Sequence, residues 1–310
     1  MAISEKRLLA ERLPGMHSVR RGLLGRLHWE NFDWLNRFAE WVIKAAGLYG
    51  RGYRNVLDLR LERVELDVRR LPAAFEGFRM LWISDLHIER FEQLAERTLS
   101  IAQSCEYDLC VLGGDCCFDH FITDKARGLM EKIARGLVSK GPVVAVFGNH
   151  DYSPMVRVLE GAGVRMLLNE HYCLQRGREK LYLVGIDDCH YFGADDLDAA
   201  IAGIEPGSCR ILLSHSPEIY KKAAAAGMDA CLSGHTHGGQ ICLPGGLTLI
   251  SSASVPRQIL KGKWEYNGMA GYTSRGAGAS GAAVRFNCPS EITLFTFKRS
   301  DSVLRDMNCG

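Results

Sequence analysis

The 310-residue chain has no CxxC pair, no apolar run near the roughly 18 residues needed to cross a bilayer, no repeat and no low-complexity segment. Each absence closes a class of protein. The eleven cysteines are odd in number and include the adjacent Cys116 and Cys117. An oxidising compartment would make that pattern a liability, so reduced thiols and a cytoplasmic location are expected. The opening residues MAISEKRLLAERLPG lack the apolar core of a secretory signal. The Gly-rich stretch at 271–281, GYTSRGAGASG, does not have P-loop spacing. Nor is there an excess of one charge, since the formal net charge is +2.

Hydrophobic residues make up 47% and charged residues 24%, a globular balance. The charge is unevenly placed. Residues 1–60 hold eleven Lys/Arg against six Asp/Glu, a net of +5, which leaves −3 for the rest. A slightly acidic body lacks the Lys/Arg-rich face of a nucleic-acid binder, and nucleic acid is not expected as a partner. The basic N-terminal part reads either as a solvated end or as a face for anionic lipid or RNA.

Three segments are expected: an N-terminal basic, amphipathic helical extension (1–60), a main domain (61–300) and a short tail (301–310). Within the extension, residues 31–46 read as a helix. Asp33, Arg37, Glu40 and Lys44 form one polar stripe, and Trp34, Leu35, Phe38, Trp41, Val42 and Ile43 cover most of the rest. So broad an apolar face either docks on the main domain or lies in a membrane interface.

In the main domain VELDV (64–68) alternates like a strand. Short apolar runs follow, each closed by polar residues: RMLWISDLH (79–87), YDLCVLGGD (107–115), PVVAVFGNHD (142–151), KLYLVGIDD (180–188), RILLSHS (210–216) and MDACLSGHTH (228–237). Helical stretches such as 91–104 and 124–138 lie between them. This is the pattern of buried strands in an α/β sheet. Further strands are expected at 246–250, 282–286 and 291–297. Five run ends carry Asp85 and His87, Asp115, the triplet Asn149, His150 and Asp151, then His215, then His235 and His237. In open α/β sheets ligands bind beyond the carboxyl ends of the strands. Carboxylate, imidazole and amide oxygen without thiolate suit divalent Mn, Fe or Zn. Seven such ligands are too many for one tetrahedral ion. They fit two ions about 4 Å apart that share a carboxylate.

The ordered blocks DLH, GD, GNHD, the His of SHS, and GHTH resemble the calcineurin-like metallophosphoesterase superfamily. SDLH, GNHDY, GIDD, LSHSPE, SGHTHGGQ, SRGAG and RFNCPSEI are similar to its bacterial YkuE/YaeI-type branch, which includes enzymes cleaving UDP-2,3-diacylglucosamine. One departure is GGDCCF (113–118), where two cysteines replace the usual Leu or Val after GD.

The resemblance implies a four-layer αββα sandwich. It implies two divalent ions, Mn foremost, with Asp85, His87 and His237 on the first, Asn149, His215 and His235 on the second, and Asp115 on both. It implies attack of a bridging hydroxide on a phosphodiester or pyrophosphate. His150 would stabilise the transition state or protonate the leaving group. Asp151 would orient His150 or cap a helix. His190 and His120 fall in loops at the same edge, as substrate contacts or solvated residues. The substrate read from the branch is UDP-2,3-diacylglucosamine in lipid A synthesis, with peripheral membrane contact through residues 31–46. The alternatives are a small-substrate diesterase, including one for cyclic nucleotides, and a non-catalytic scaffold. No motif position is lost, which argues against a scaffold.

Overall fold

A computed structural model describes residues 3–12, 33–118, 122–248 and 251–300. The expected tail and His120 lie outside the described residues. The helices are α1 (Glu5–Arg12), α2 (Asp33–Ala45), α3 (Tyr49–Leu57), α4 (Gln93–Ser104), α5 (Asp124–Val138), α6 (Pro154–Gly161), α7 (Leu197–Ile201) and α8 (Tyr220–Ala225). The first sheet contains β1 (Arg60–Val68), β2 (Arg79–Ile83), β3 (Leu109–Leu112), β4 (Val143–Ala145), β5 (Arg165–Met166) and β14 (Glu291–Arg299), in the order β1-β14-β2-β3-β4-β5. The second contains β6 (Glu170–Arg176), β7 (Glu179–Gly185), β8 (Cys209–Leu213), β9 (Ala230–Ser233), β12 (Gly262–Tyr266) and β13 (Met269–Thr273), in the order β12-β13-β9-β8-β7-β6. A small hairpin joins β10 (Cys242–Leu243) to β11 (Leu247–Thr248).

Strand alternation builds four layers. Met80, Trp82, Leu109, Val111 and Val144 face Leu183, Ile211, Leu213 and Leu232, and make the core between the sheets. The alternate residues Leu81, Ile83, Cys110, Leu112 and Ala145 turn outward onto α4, α5 and α6. Val184, Leu212 and Cys231 turn the other way onto α7 and α8. Strands buried on both faces must be apolar throughout, which is why RMLWI, LCVL and VVA show no polar alternation. The helix α5 runs over the predicted span. Thr123 caps it by accepting the Ala126 N–H at 3.0 Å, and Ala126, Met130, Ile133, Ala134 and Leu137 form its buried stripe.

The parallel registers align the strand ends. Ile83 pairs with Leu112 and Leu112 with Ala145, while Leu213 pairs with Leu232. The loops that follow therefore open on one edge of the sandwich. Residues 282–286 differ from the expected strand. They form an irregular buried segment with a single bridge from Phe286 to Ile241. The Gly52 carbonyl of α3 accepts the Arg285 N–H at 3.0 Å, and the Arg285 side chain turns inward toward the site.

The expected helix at 31–46 is α2. Its Glu40–Lys44 pair forms at 2.7 Å. Phe38, Trp41 and Val42 are 55%, 63% and 44% exposed, so they are not covered by the domain. Among the described residues no helix is long and apolar enough to cross a membrane.

Candidate metal centre

Asp85 and His87 follow β2, Asp115 follows β3, Asn149 follows β4, His215 follows β8, and His235 and His237 follow β9. None is more than 5% exposed. Asp85, His87, Asp115, His235 and His237 all have positive φ, five of the nine non-glycine residues that do among those described. Such backbone costs of order 1 kcal/mol or more per residue and persists only where its surroundings over-determine it. Here the loops are sewn to one another. The Asp85 N–H donates to the Gly114 carbonyl at 3.0 Å, and the His87 N–H to the Asp115 carbonyl at 3.2 Å. The Gly234 N–H donates to the His215 carbonyl at 2.8 Å, and the His235 N–H to Asp85 Oδ1 at 3.0 Å.

Two glycines permit this crowding. A Cβ on Gly148 would stand 2.1 Å from Asp115 Oδ1, and one on Gly234 would stand 2.5 Å from Asp85 Oδ2. Glycine next to a site residue is a packing requirement at both positions.

Two clusters result. Asp85, His87 and His237 each bring a ligand atom within 4.8 Å of the others, and Asp115, His215 and His235 do the same. In the first, His87 Nε2 lies 3.3 Å from His237 Nε2, which is 3.5 Å from Asp85 Oδ1. In the second, His215 Nε2 lies 3.2 Å from Asp115 Oδ2. The same Oδ2 is 3.7 Å from His87 Nε2, so the Asp115 carboxylate stands between the clusters.

Backbone carbonyls set the tautomers. His87 Nδ1–H donates to the Cys117 carbonyl at 3.0 Å, and His215 Nδ1–H to the Gly113 carbonyl at 2.8 Å. Each ring thereby turns its Nε2 into the site. Several polar atoms that converge there lack a hydrogen-bond partner among the described residues. Asn149 Oδ1, His215 Nε2 and His235 Nε2 are three of ten buried side-chain polar atoms without a hydrogen-bond partner among the described residues. Asn149 Oδ1 and the neutral His235 ring are acceptors that fit a cation, and His215 joins them on losing its proton.

Charge follows from the same crowding. Burial pulls His87 down to about 3, and pulls His235 and His237 well below the usual histidine range. Burial acts downward on His215 too, but Asp115 and Asp85 outweigh it and raise His215 to about 10. Burial acts upward on Asp115, and His215, His150 and His87 reverse it. Asp85 rises to about 6 through burial.

Residues 78–239 match the family model of the calcineurin-like phosphoesterases. The chain belongs to that family. It is similar to the metallophosphoesterases YkoQ (28% identity, 78% of this chain and 91% of that one) and YkuE (28%, 81% and 91%) of Bacillus subtilis. It is also similar to phosphodiesterase YaeI of Escherichia coli (29%, 70% and 81%). As a calcineurin-like phosphoesterase it is a metal-dependent hydrolase of phosphoesters, and its two Asp/His groups match the dinuclear centre of that family.

The phosphoesterase site departs from the sequence expectations at Asp151. Its carboxylate neither meets the His150 ring through Nδ1 nor caps a helix. Instead it accepts the N–H groups of Asp115 at 2.7 Å, Cys116 at 2.9 Å and Gly148 at 2.9 Å, and so ties two site loops together. The next helix begins after Ser153, which makes no side-chain capping bond. His150 Nδ1–H donates to the Phe118 carbonyl at 2.7 Å, and the ring stands edge-on to His87 with centroids 5.1 Å apart. Cys116 and Cys117 are buried beside the site, and burial pushes the Cys116 thiol well up.

Three further residues reach the site, two of them without a sequence signal for it. Arg285 is fully buried and bonds the His237 carbonyl and ring Nδ1, each at 3.3 Å. His190 is buried, with its ring centroid 4.3 Å from that of His235 and its Nδ1–H donating to Glu218 at 2.8 Å. Arg7 touches the Asp151 carbonyl. Only His190 stood among the sequence candidates; the two arginines make their contacts across long stretches of chain.

Proposed function

We propose that this phosphoesterase cleaves a phosphodiester or pyrophosphate, with Asp85, His87 and His237 holding one ion, Asn149, His215 and His235 holding the other, and Asp115 serving both. The observation that carries the reading is the position of Asp115 Oδ2 between the two clusters. Divalent ions held there supply Lewis-acid activation of water and of phosphoryl oxygens for in-line displacement, and the donor set suits Mn first, then Fe or Zn. The chain's own residues do the rest. The Nδ1–H bonds of His87 and His215 fix which nitrogen each ring offers. His150, held by the Phe118 carbonyl through Nδ1–H, stabilises the transition state or, when it enters the step as the imidazolium, gives its Nε2 proton to the leaving oxygen and is left neutral. Asp151 fixes the loops that carry Asp115, Asn149 and His150.

The substrate reading is UDP-2,3-diacylglucosamine, met at the inner face of the cytoplasmic membrane. Its support is the motif resemblance together with α2. Exposed Phe38 and Trp41 stack at 6.1 Å, and exposed Arg37, Lys44, Arg51 and Arg54 lie on α2 and α3. An apolar stripe flanked by cations suits an anionic lipid surface. A small diester is the second reading, favoured by the name of phosphodiesterase YaeI. The experiment is UMP release from UDP-2,3-diacylglucosamine in micelles with Mn²⁺, with Asp115→Asn as the blank. Metal-dependent release that the variant lacks supports the lipid substrate. No release, with small diesters still cleaved, removes the lipid and leaves the diester.

A further inference from the structure

Arg7 lies on α1, 144 and 180 positions in sequence from its partners Asp151 and Asp187. It is fully buried. Its Nη1 donates to Asp187 Oδ1 at 2.6 Å, its Nη2 to the Asp151 carbonyl, and its Nε to Glu11 Oε1 at 2.9 Å. The guanidinium lies 3.7 Å from the centroid of Phe192 and 5.4 Å from that of Phe147. Glu11 in turn accepts the backbone N–H of Ser153 at 2.9 Å and its hydroxyl at 2.7 Å, and Ala10 packs with Phe192 and Ala194.

These contacts bind α1 to two loops of the candidate site. One, 148–151, carries Asn149 and His150. The other, 187–192, carries His190 against His235. Asp151 is the junction. Its carbonyl takes Arg7, while its carboxylate takes the N–H groups of Gly148, Asp115 and Cys116. We infer that Arg7 is a positioning residue for phosphoester hydrolysis: its guanidinium fixes the Asp151 loop against the Asp187 loop and so sets where Asn149 and His150 stand. The inference rests on the roles proposed above for those two residues.

A role in stability alone explains this poorly. Replacing both members of a buried ion pair with apolar groups of like volume is often neutral for folding, whereas removing Arg7 alone leaves Asp187 buried without its cation and also lowers stability, which is why loop exchange and kcat are read together. What an apolar residue cannot reproduce is a planar fork that holds a carboxylate on one loop and a carbonyl on another. A loop displaced by about 1 Å can cost on the order of 100-fold in rate.

The test uses the full-length protein with Arg7→Met. Hydrolysis of bis(p-nitrophenyl) phosphate with Mn²⁺ is measured beside amide hydrogen exchange of the metal-free protein. The expected result is a kcat about 10- to 100-fold below wild type with KM within about threefold, and faster exchange at 146–152 while the sheets keep their protection. A kcat within about twofold of wild type, or unchanged exchange at 146–152, overturns the inference. If Arg7→Met does not fold, Arg7→Lys is judged on the same two readouts. If the wild type itself leaves the diester uncleaved, the proposed function is at fault, and the exchange arm still decides whether Arg7 holds the loop.

Discussion

Gly148→Ala places one methyl group where the candidate site has no room. The added Cβ would stand 2.1 Å from Asp115 Oδ1, 2.8 Å from the Asp115 backbone nitrogen and 2.8 Å from His215 Cδ2. None of the three can yield freely. The Asp115 N–H is held by Asp151, its Oδ1 accepts the His150 N–H at 2.9 Å, and His215 is tied to the Gly113 carbonyl. Relief requires moving the shared carboxylate by about 1 Å, which predicts a loss on the order of 100-fold in kcat/KM. The strain on stability is of similar size, about 1–3 kcal/mol. Gly128→Ala is the matched control. It lies exposed on α5 with nothing within 4 Å of the added Cβ, so alanine there should stabilise by about 0.5–1 kcal/mol and raise the melting temperature by about 2 °C. The assay is bis(p-nitrophenyl) phosphate hydrolysis with Mn²⁺, with Mn²⁺ calorimetry and thermal melts on both variants. Wild-type turnover and Mn²⁺ affinity in Gly148→Ala would refute the crowding of Asp115 between the clusters.

Metal uptake should depend on pH at one cluster and not at the other. In the metal-free protein His215 is raised to about 10, so an ion entering the Asp115–His215–His235 cluster at neutral pH displaces a proton. Its affinity should rise about tenfold per pH unit between about 7 and 9. His87 and His237 are already neutral there and Asp85 is ionised above about 6, so the other cluster should bind almost independently of pH. Calorimetry in buffers of different ionisation enthalpy reads the proton count. By the same sign, His215 stabilises the metal-free protein fully below about 6.5, and that contribution is lost as pH rises toward 10; melts without metal check it. His150→Ala should lower kcat about 10²- to 10⁴-fold with Mn²⁺ binding unchanged, which a rate and a metal titration decide together. Phe38→Ser with Trp41→Ser should abolish sedimentation with phosphatidylglycerol vesicles while soluble diester hydrolysis is retained, because both side chains are exposed and distant in sequence from the clusters. Vesicle binding equal to wild type would remove α2 as the membrane contact.

The candidate site was legible because buried parallel strands are uniformly apolar, so the polar residues that end each run stand out and share one edge. Asp85, Asp115 and His215 needed no more than that. The helix α3 was not legible, because Gly50 and Gly52 weaken any helical reading. Yet Gly52 is required there, since a Cβ would meet Val284 Cβ at 2.6 Å. Residues 282–286 looked like a strand for their apolar content, but their place is set by α3 and by Arg285, which no local period encodes. Asp151 could be read as an acid beside a histidine, whereas its work is on backbone N–H groups 35 and 36 positions away. Arg7 falls in a basic N-terminal stretch that looks solvated by composition. Only its contacts with Asp187 and Asp151 reveal it.

The most direct measurement is the rate of bis(p-nitrophenyl) phosphate hydrolysis by chelator-stripped wild type and Asp115→Asn as Mn²⁺ is restored. The predicted result is no hydrolysis without metal, recovery in the wild type as two ions bind per chain, and no recovery in the variant. Hydrolysis without metal, or full recovery in Asp115→Asn, would contradict a dinuclear phosphoesterase built around a shared Asp115.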